Sequence, residues 1–291
     1  MTTELTHQMV QAFMPARPQD AHKGTFGHAY ILAGSRGFTG AAKLCAESAY
    51  RAGAGLVTVG TPQCVGDIVE LALSEAMTHR LPDTAAGTIS RRAIGPALAF
   101  AKEMDAVAIG PGLGTHDKTA EFVRAFVKGS PAPMVVDADA LNCLSLDLTP
   151  VRERMSPCIL TPHPGEMARL LETTISEVES DREGMTARLA LECWCVVVLK
   201  GNRTLVAAPD GELWVNPTGN SGMATGGTGD ALTGILAGLL AQGMEKSEAA
   251  RLGVFLHGVA GDIAAGWKTQ RALMAGDLIA ALPDAWRCLE Q

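Results

Sequence analysis

The chain has no Cys-x-x-Cys pair, and its seven cysteines, Cys45, Cys64, Cys143, Cys158, Cys193, Cys195 and Cys288, are odd in number. This pattern argues against a disulfide framework and a zinc knuckle, and favours reduced, buried thiols over a metal or redox role. Long apolar runs are also missing: none approaches the ~20 residues that span a bilayer. Met1 to Asp20 lack the basic stretch, apolar core and small-residue cleavage site of a leader. These two absences predict a cytoplasmic protein without a membrane partner. Excess positive charge is lacking as well, since 24 Lys and Arg face 31 Asp and Glu for a formal charge of -7. This balance argues against a broad basic surface for nucleic acid or anionic lipid, while local basic pockets remain compatible with the count. No Gly-x4-Gly-Lys-Ser/Thr stretch occurs, which excludes a P-loop nucleotidase. Gly34, Gly37 and Gly40 are too widely spaced for a GxGxxG fingerprint, and no acidic residue clearly ends the following strand, which disfavours a Rossmann dehydrogenase.

What the chain does have is apolar material. Hydrophobic residues make up 47% of it and charged ones 19%, the balance of a folded protein with a substantial core. Short apolar runs alternate with helix-like segments from Tyr30 to about Trp267, with Gly or Pro at most changes, which is the signature of βαβ units. Strands are expected at His28 to Ala33, Leu56 to Gly60, Ala106 to Ile109, Met134 to Asp137, Cys158 to Leu160 and Cys195 to Leu199. Being apolar without alternation, these suit a mainly parallel sheet covered on both faces. Thr204 to Ala208 and Glu212 to Asn216, joined by Pro209-Asp210-Gly211, predict an antiparallel hairpin beside them. Helices are expected at Gly40 to Ala52, Ser90 to Met104, Asp230 to Ala241 and Ser247 to Trp267, with a last one from near Asp277. No linker, repeat or low-complexity tract divides the chain, so one three-layer α/β domain is expected.

The most informative stretch is Thr225-Gly226-Gly227-Thr228-Gly229-Asp230, a glycine-rich loop running into an apolar helix. Amides of Gly226, Gly227, Thr228 and Gly229, together with the positive end of the helix dipole, form an anion hole for phosphate. Asp230 has two readings there: a helix cap, or a base that takes a proton from a hydroxyl attacking phosphate. Lys200-Gly201-Asn202-Arg203-Thr204 follows the clearest strand, where open parallel sheets place ligands. It is either a nucleotide loop or a hairpin start with solvated charges. Gly110-Pro111-Gly112-Leu113-Gly114 permits close approach of a flat or phosphorylated ligand. Thr161-Pro162-His163-Pro164-Gly165-Glu166 holds His163 stiffly, either as a turn residue or on the ligand side of the sheet. Asp137 and Asp139 lie in a tight turn after a strand; capping accounts for one, and water-mediated Mg²⁺ binding is the functional alternative.

Taken together, these segments resemble the ADP-dependent NAD(P)H-hydrate dehydratase family of the ribokinase-like superfamily. The resemblance rests on Lys23 to Gly27, Gly34 to Ala42, Gly110 to Gly114, Val136 to Asn142, Thr161 to Glu166, Lys200 to Thr204 and Asn220 to Asp230, in that order along nearly the whole chain. Phe38 stands where the family often has tyrosine, which removes one hydroxyl. The resemblance implies a three-layer ribokinase-like fold over residues 23–291, with residues 1–22 as an N-terminal extension. It implies ADP-dependent dehydration of the S epimer of hydrated NADH or NADPH (NADHX or NADPHX), giving the reduced cofactor, AMP and phosphate. By similarity Lys200, Gly201, Asn202, Arg203, Thr204 and Gly229 hold the nucleotide, while Ala42, Gly112, His163 and Asp230 contact the hydrated cofactor. Mg²⁺ would bridge the phosphates, without a named protein ligand. A homo-oligomer, a tetramer in the family, is implied, and because the extension is short a separate epimerase would act upstream. Gly229-Asp230 alone is shared with ribokinase-like kinases of the thiamine-precursor type, which form the alternative; a catalytically silent nucleotide-binding regulator is the third. The sequence leaves ADP against ATP and NADHX against NADPHX open.

Overall fold

All four residues of Val196–Leu199 and of Ala106–Ile109 are buried, as a strand covered on both faces requires. The computed structural model describes residues 2–291 and builds such strands into one ten-stranded sheet. The chain runs β1 (Thr3–Glu4), α1 (His7–Gln11), β2 (His28–Leu32), α2 (Thr39–Arg51), β3 (Leu56–Pro62), α3 (Gly66–Ala72) and β4 (Met77–Leu81). It continues through α4 (Ile94–Ala101), β5 (Ala106–Ile109), α5 (Asp117–Gly129), β6 (Met134–Val136), α6 (Ala138–Leu144), α7 (Thr149–Arg152), β7 (Cys158–Leu160) and α8 (Pro164–Leu170). Then follow α9 (Ile175–Ser180), α10 (Arg182–Cys193), β8 (Val196–Leu199), β9 (Leu205–Ala207), β10 (Leu213–Val215), α11 (Thr228–Ala241), α12 (Lys246–Lys268) and α13 (Ala275–Glu290).

The strand order is β1-β10-β9-β8-β7-β6-β5-β2-β3-β4. Strands β2 to β8 pair in parallel, β9 is antiparallel to both β8 and β10, and β1 joins β10 in parallel. The expected mixed sheet with a hairpin beside its parallel strands is therefore present. Side-chain alternation sorts residues into two cores. Ile31, Val196 and Val198 face one cluster with residues of α2, α11, α12 and α13. Tyr30, Leu32, Val197 and Leu199 face the other, with residues of α4, α5, α6, α8 and α10. Three layers result.

Two strands fall outside the sequence expectation. Met77–Leu81 carries Thr78, His79 and Arg80 in place of an apolar run, because β4 is the outermost strand and only Leu81 is buried. β1 has two residues, too few for any periodicity. The helix expected from Ser90 is split: Ser90 accepts from the Arg92 amide, a 3₁₀ turn covers Arg91–Ala93, and the α-helix starts at Ile94. At the chain ends, Leu5 and Val10 are buried and His7 Nε2 lies 2.9 Å from the Cys288 carbonyl oxygen.

The succession β2, β3, β4 grows the sheet one way, and β5 to β8 grow it the other. The gap between the loops after β2 and β5 is therefore the topological switch point where such sheets bind ligands. Helix α11 lies under this point, almost wholly buried, and packs against α2. Their approach requires glycine: a Cβ at Gly234 would overlap the Cys45 carbonyl oxygen and the Ser48 hydroxyl. Gly234→Ala is expected to lower stability by about 1–3 kcal/mol through overpacking. Thermal melting checks this, and an unchanged melting temperature would mean that the two helices can separate freely.

Candidate functional site

Parallel strands bring the loops after β2, β5, β6, β7 and β8 to one edge of the sheet, and the antiparallel pair adds both Thr204 and Asn216 to it. A cleft of about 850 Å³ opens there. It is lined by Lys200 to Thr204, with Asn216 beside them donating its amide to the Thr204 carbonyl, by Thr218 to Ser221 and Met223 to Gly226, and by His163 and His257. The floor is the start of α11, through Thr228, Gly229 and Leu232. Two of these segments are fixed by hydrogen bonds. Thr204 Oγ1 donates to the Gly201 carbonyl at 3.0 Å. Asp262 accepts from the Gly219 amide and the Asn220 side chain, each at 2.9 Å.

The N-terminus of α11 is uncapped. Its N-cap is Gly227, whose φ of 95° lies in the left-handed region that glycine alone adopts without strain, and no side chain caps the first turn. The Thr228 hydroxyl turns back to the Met223 and Thr225 carbonyls. The first-turn amides are therefore left for an anionic ligand.

Beneath this turn lies a group of charges. Asp137 is almost fully buried; its Oδ1 is 2.5 Å from Lys200 Nζ, and its Oδ2 accepts from Thr233 Oγ1 at 2.6 Å. Glu166, also buried, has Oε2 3.7 Å from the same ammonium. Burial pulls the Lys200 pKa down, but Asp137 and Glu166 more than offset this and hold it above the ordinary lysine value. Burial pushes the Glu166 carboxyl up, against the pull of Lys200. Asp230 is pushed up to about 6, first by burial and then by the Asp137 charge, with Lys200 pulling the other way. It is thus ionised at neutral pH yet more basic than an ordinary carboxylate, the condition for an effective proton acceptor. His257 is lowered to about 4 by burial, so its Nε2, 2.9 Å from the Thr228 carbonyl, carries the proton of a neutral ring.

The family model described as NAD(P)H-hydrate dehydratase matches residues 29–284. The chain belongs to this family. It is 48% identical over 287 residues to the bifunctional NAD(P)H-hydrate repair enzyme Nnr of Moorella thermoacetica, covering 99% of this chain and 54% of that protein. The chain thus spans about half the length of that relative. It is 38% identical over 299 residues to the ADP-dependent (S)-NAD(P)H-hydrate dehydratase of Neisseria meningitidis, covering 99% and 95% respectively. The crystal structure of the ADP/ATP-dependent NAD(P)H-hydrate dehydratase of Bacillus subtilis, co-crystallised with ATP/Mg²⁺, superposes with a TM-score of 0.84 at 33% identity over 99% of both chains.

In this NAD(P)H-hydrate dehydratase fold, His163, Lys200 to Thr204, Gly226, Thr228 and Gly229 come together on the cleft. Arg203 lines it while sending its guanidinium to Glu4 of β1, 2.8 Å away. Gly227 faces inward, where a Cβ would press on Leu44 and Ala275. Asp230, Gly112 and Ala42 are off the cleft wall. Asp230 faces Asp137, Asp139 and Lys200. Gly112 belongs to the glycine turn after β5, whose carbonyl accepts from Ser35 Oγ at 2.7 Å, and Ala42 is fully buried behind Gly34. The capping explanations resolve one by one. His163 does cap α8, its Nδ1 accepting from the Gly165 and Glu166 amides. Asp230 is not the cap of α11, and Asp137 occupies the N-cap position of α6 without making a cap bond. The Asp139 carboxylate accepts from the Gly114 amide at 2.8 Å. Asn216, Thr218 and His257 were not foreseen, since nothing local marks them; they converge only through β10 and α12.

The raised Asp230 pKa carries a stability cost of definite sign. An unfolded aspartate titrates near 3.9, about two pH units below the folded group, so the folded state loses stability as pH rises through that window. Asp230→Asn is therefore expected to melt above the parent protein at neutral pH, with the difference vanishing near pH 4. A melting series from pH 4 to 8 checks this, and a variant less stable at neutral pH would contradict the site's electrostatics.

Proposed function

We propose that this protein dehydrates the S epimer of hydrated NADH or NADPH, using ADP and releasing AMP and phosphate. The observation that carries this is the placement of Asp230. A carboxylate of raised basicity stands in the uncapped first turn of a helix, where the preceding Thr228 and Gly229 line a nucleotide-sized cleft. Hydroxide is a poor leaving group, and phosphorylating it first makes elimination easy. Asp230 takes the proton of the C6 hydroxyl, and its oxygen attacks the terminal phosphoryl of ADP. Amides of Gly226, Gly227, Thr228 and Gly229 meet the charge that develops. Phosphate then leaves C6, a proton leaves C5, and the dihydronicotinamide re-forms. The nucleotide lies along Lys200 to Thr204 and Gly229, while His163, Gly112 and the Ala42 region serve the hydrated cofactor.

Among the described residues no group of three His, Cys, Asp or Glu side chains converges to hold a metal. Asp137 and Asp139 already accept protein donors. The donor set therefore fits Mg²⁺ carried on the nucleotide phosphates, where it would neutralise their charge. The same reading makes this a cytoplasmic homo-oligomer, a tetramer, that takes its S epimer from an epimerase. Among the described residues no helix is long and apolar enough to cross a membrane.

The test is to incubate the protein with NADHX or NADPHX, Mg²⁺ and ADP or ATP, and to follow the absorbance of the reduced cofactor. Turnover with ADP preferred is expected; accumulation of a stable phosphate ester would make the protein a kinase instead. Asp230→Asn should lower the rate by about 10² to 10⁴ while ADP binding is retained. Thr204→Ala loosens the loop at Gly201 and should raise the ADP constant several-fold, the effect of one lost hydrogen bond of about 0.5–1.5 kcal/mol. A raised NADHX constant beside an unchanged ADP constant would move Thr204 to the other ligand.

A further inference from the structure

Asp137 takes no part in the chemistry above, yet it is the most completely buried acid among the described residues. Both its oxygens are committed, one to Lys200 and one to Thr233. Thr233 lies three residues beyond Asp230, on the same side of α11. Lys200 Nζ is thereby held against the first turn of that helix, where a Cβ at position 229 would come within 3.6 Å of it. Among the described residues its ion pairs are with Asp137 and Glu166 only. This cation thus acts on Asp230 by its charge without forming an ion pair with it.

We propose that Asp137 is a positioning residue for the reaction: by holding the Lys200 ammonium and the Thr233 hydroxyl at the end of β6, it keeps the lysine from becoming the counter-ion of Asp230, whose carboxylate stays free to accept a proton. The role rests on the base function given to Asp230 above. Lys200 faces that carboxylate from the end of β8, Asp137 from the end of β6, Asp139 from α6 and Cys45 from α2. Burial, reinforced by Asp230 and Asp137, keeps the Cys45 thiol protonated. Glu166 of α8 shares the lysine, and His257 of α12 is neutral. On top of its burial, the balance of charge at Asp230 is therefore set by Lys200 against Asp137 and Asp139.

Removing either partner of the pair moves that balance in opposite directions. In Asp137→Asn a fixed negative charge disappears and the ammonium is released, and both changes favour ionised Asp230. In Lys200→Met the cation is gone and Asp137 and Asp139 repel the carboxylate unopposed. The experiment follows the Asp230 carboxyl by ¹³C NMR in the ligand-free protein through a pH series, with the resonance assigned by its loss in Asp230→Asn. The expected midpoint is about 6 in the parent protein. It should fall by about 1–3 pH units in Asp137→Asn, the effect of a cation brought within ~4–6 Å, and rise in Lys200→Met. The acid limb of kcat/KM for NADHX should move with it. Thr233→Val keeps both charges and should leave the midpoint in place.

An unmoved Asp230 midpoint in folded Asp137→Asn overturns the inference, as does a lowered one in Lys200→Met. Where Asp137→Asn does not fold, the direction of the Lys200→Met shift decides. The titration needs no turnover, so the two proposals fail separately. Turnover by the parent protein without these shifts removes the role of Asp137 alone. Absence of turnover with the shifts intact removes the reaction, and with it Asp137 as a reaction residue, while leaving the electrostatic hold on Lys200.

Discussion

One ammonium group holds the ligand edge of this sheet together. Lys200 is the cation against which Asp137 and Glu166 are buried, and through them it joins the ends of β6, β7 and β8. Thr233 extends the connection to α11. Deleting one partner of such a pair strands a charge in the interior, which costs about 3–5 kcal/mol. Each loop on the edge therefore has its position fixed by a shared electrostatic requirement as well as by the strand it follows. The arrangement is a poor device for stability alone, since apolar residues of similar volume can serve as well. Its return lies in the fixed placement of charge around a helix terminus.

That terminus is built against local preference. A helix of this length would normally receive a serine, threonine or aspartate cap; α11 has Gly227 in a left-handed conformation, with Thr228 turned away and Asp230 raised in basicity. All three features leave polar groups less satisfied than they could be. The surrounding core tolerates this because α11 is buried along its length between α2 and α12. Unmet polarity is thus concentrated where a ligand can relieve it.

Much of this was readable from the chain. Val196–Leu199 announced itself because a strand covered on both faces must be apolar throughout, and the hairpin because Pro209-Asp210-Gly211 has the chemistry of a turn. β4 was not readable, since an outermost strand needs only one apolar face and Thr78, His79 and Arg80 hide it. The same division holds for the site. Lys200 to Thr204 and Gly226 to Gly229 are contiguous backbone motifs, so their pattern survives in one dimension. The Asp137–Thr233 bond joins residues 96 positions apart, and each residue is unremarkable in its own segment. Asp137 looked like a helix cap or a magnesium ligand because its immediate neighbours could show neither the lysine nor the threonine that claim it. Lys200 read as part of a nucleotide loop, but its two counter-ions could not be read beside it, because they come from two other loops.

The two ends of the chain also meet, with His7 of α1 against the last turn of α13 and β1 zipped onto β10. Every strand that delivers a loop to the ligand edge lies between those ends. The order in which the segments are threaded is thus separable from the place each takes in space. A covalent link from tail to head, with a new opening at the exposed Pro209 to Gly211 turn, would preserve all nine strand pairings and the charges they carry. Circular permutation therefore gives a way to alter the folding order of this fold without touching its chemistry.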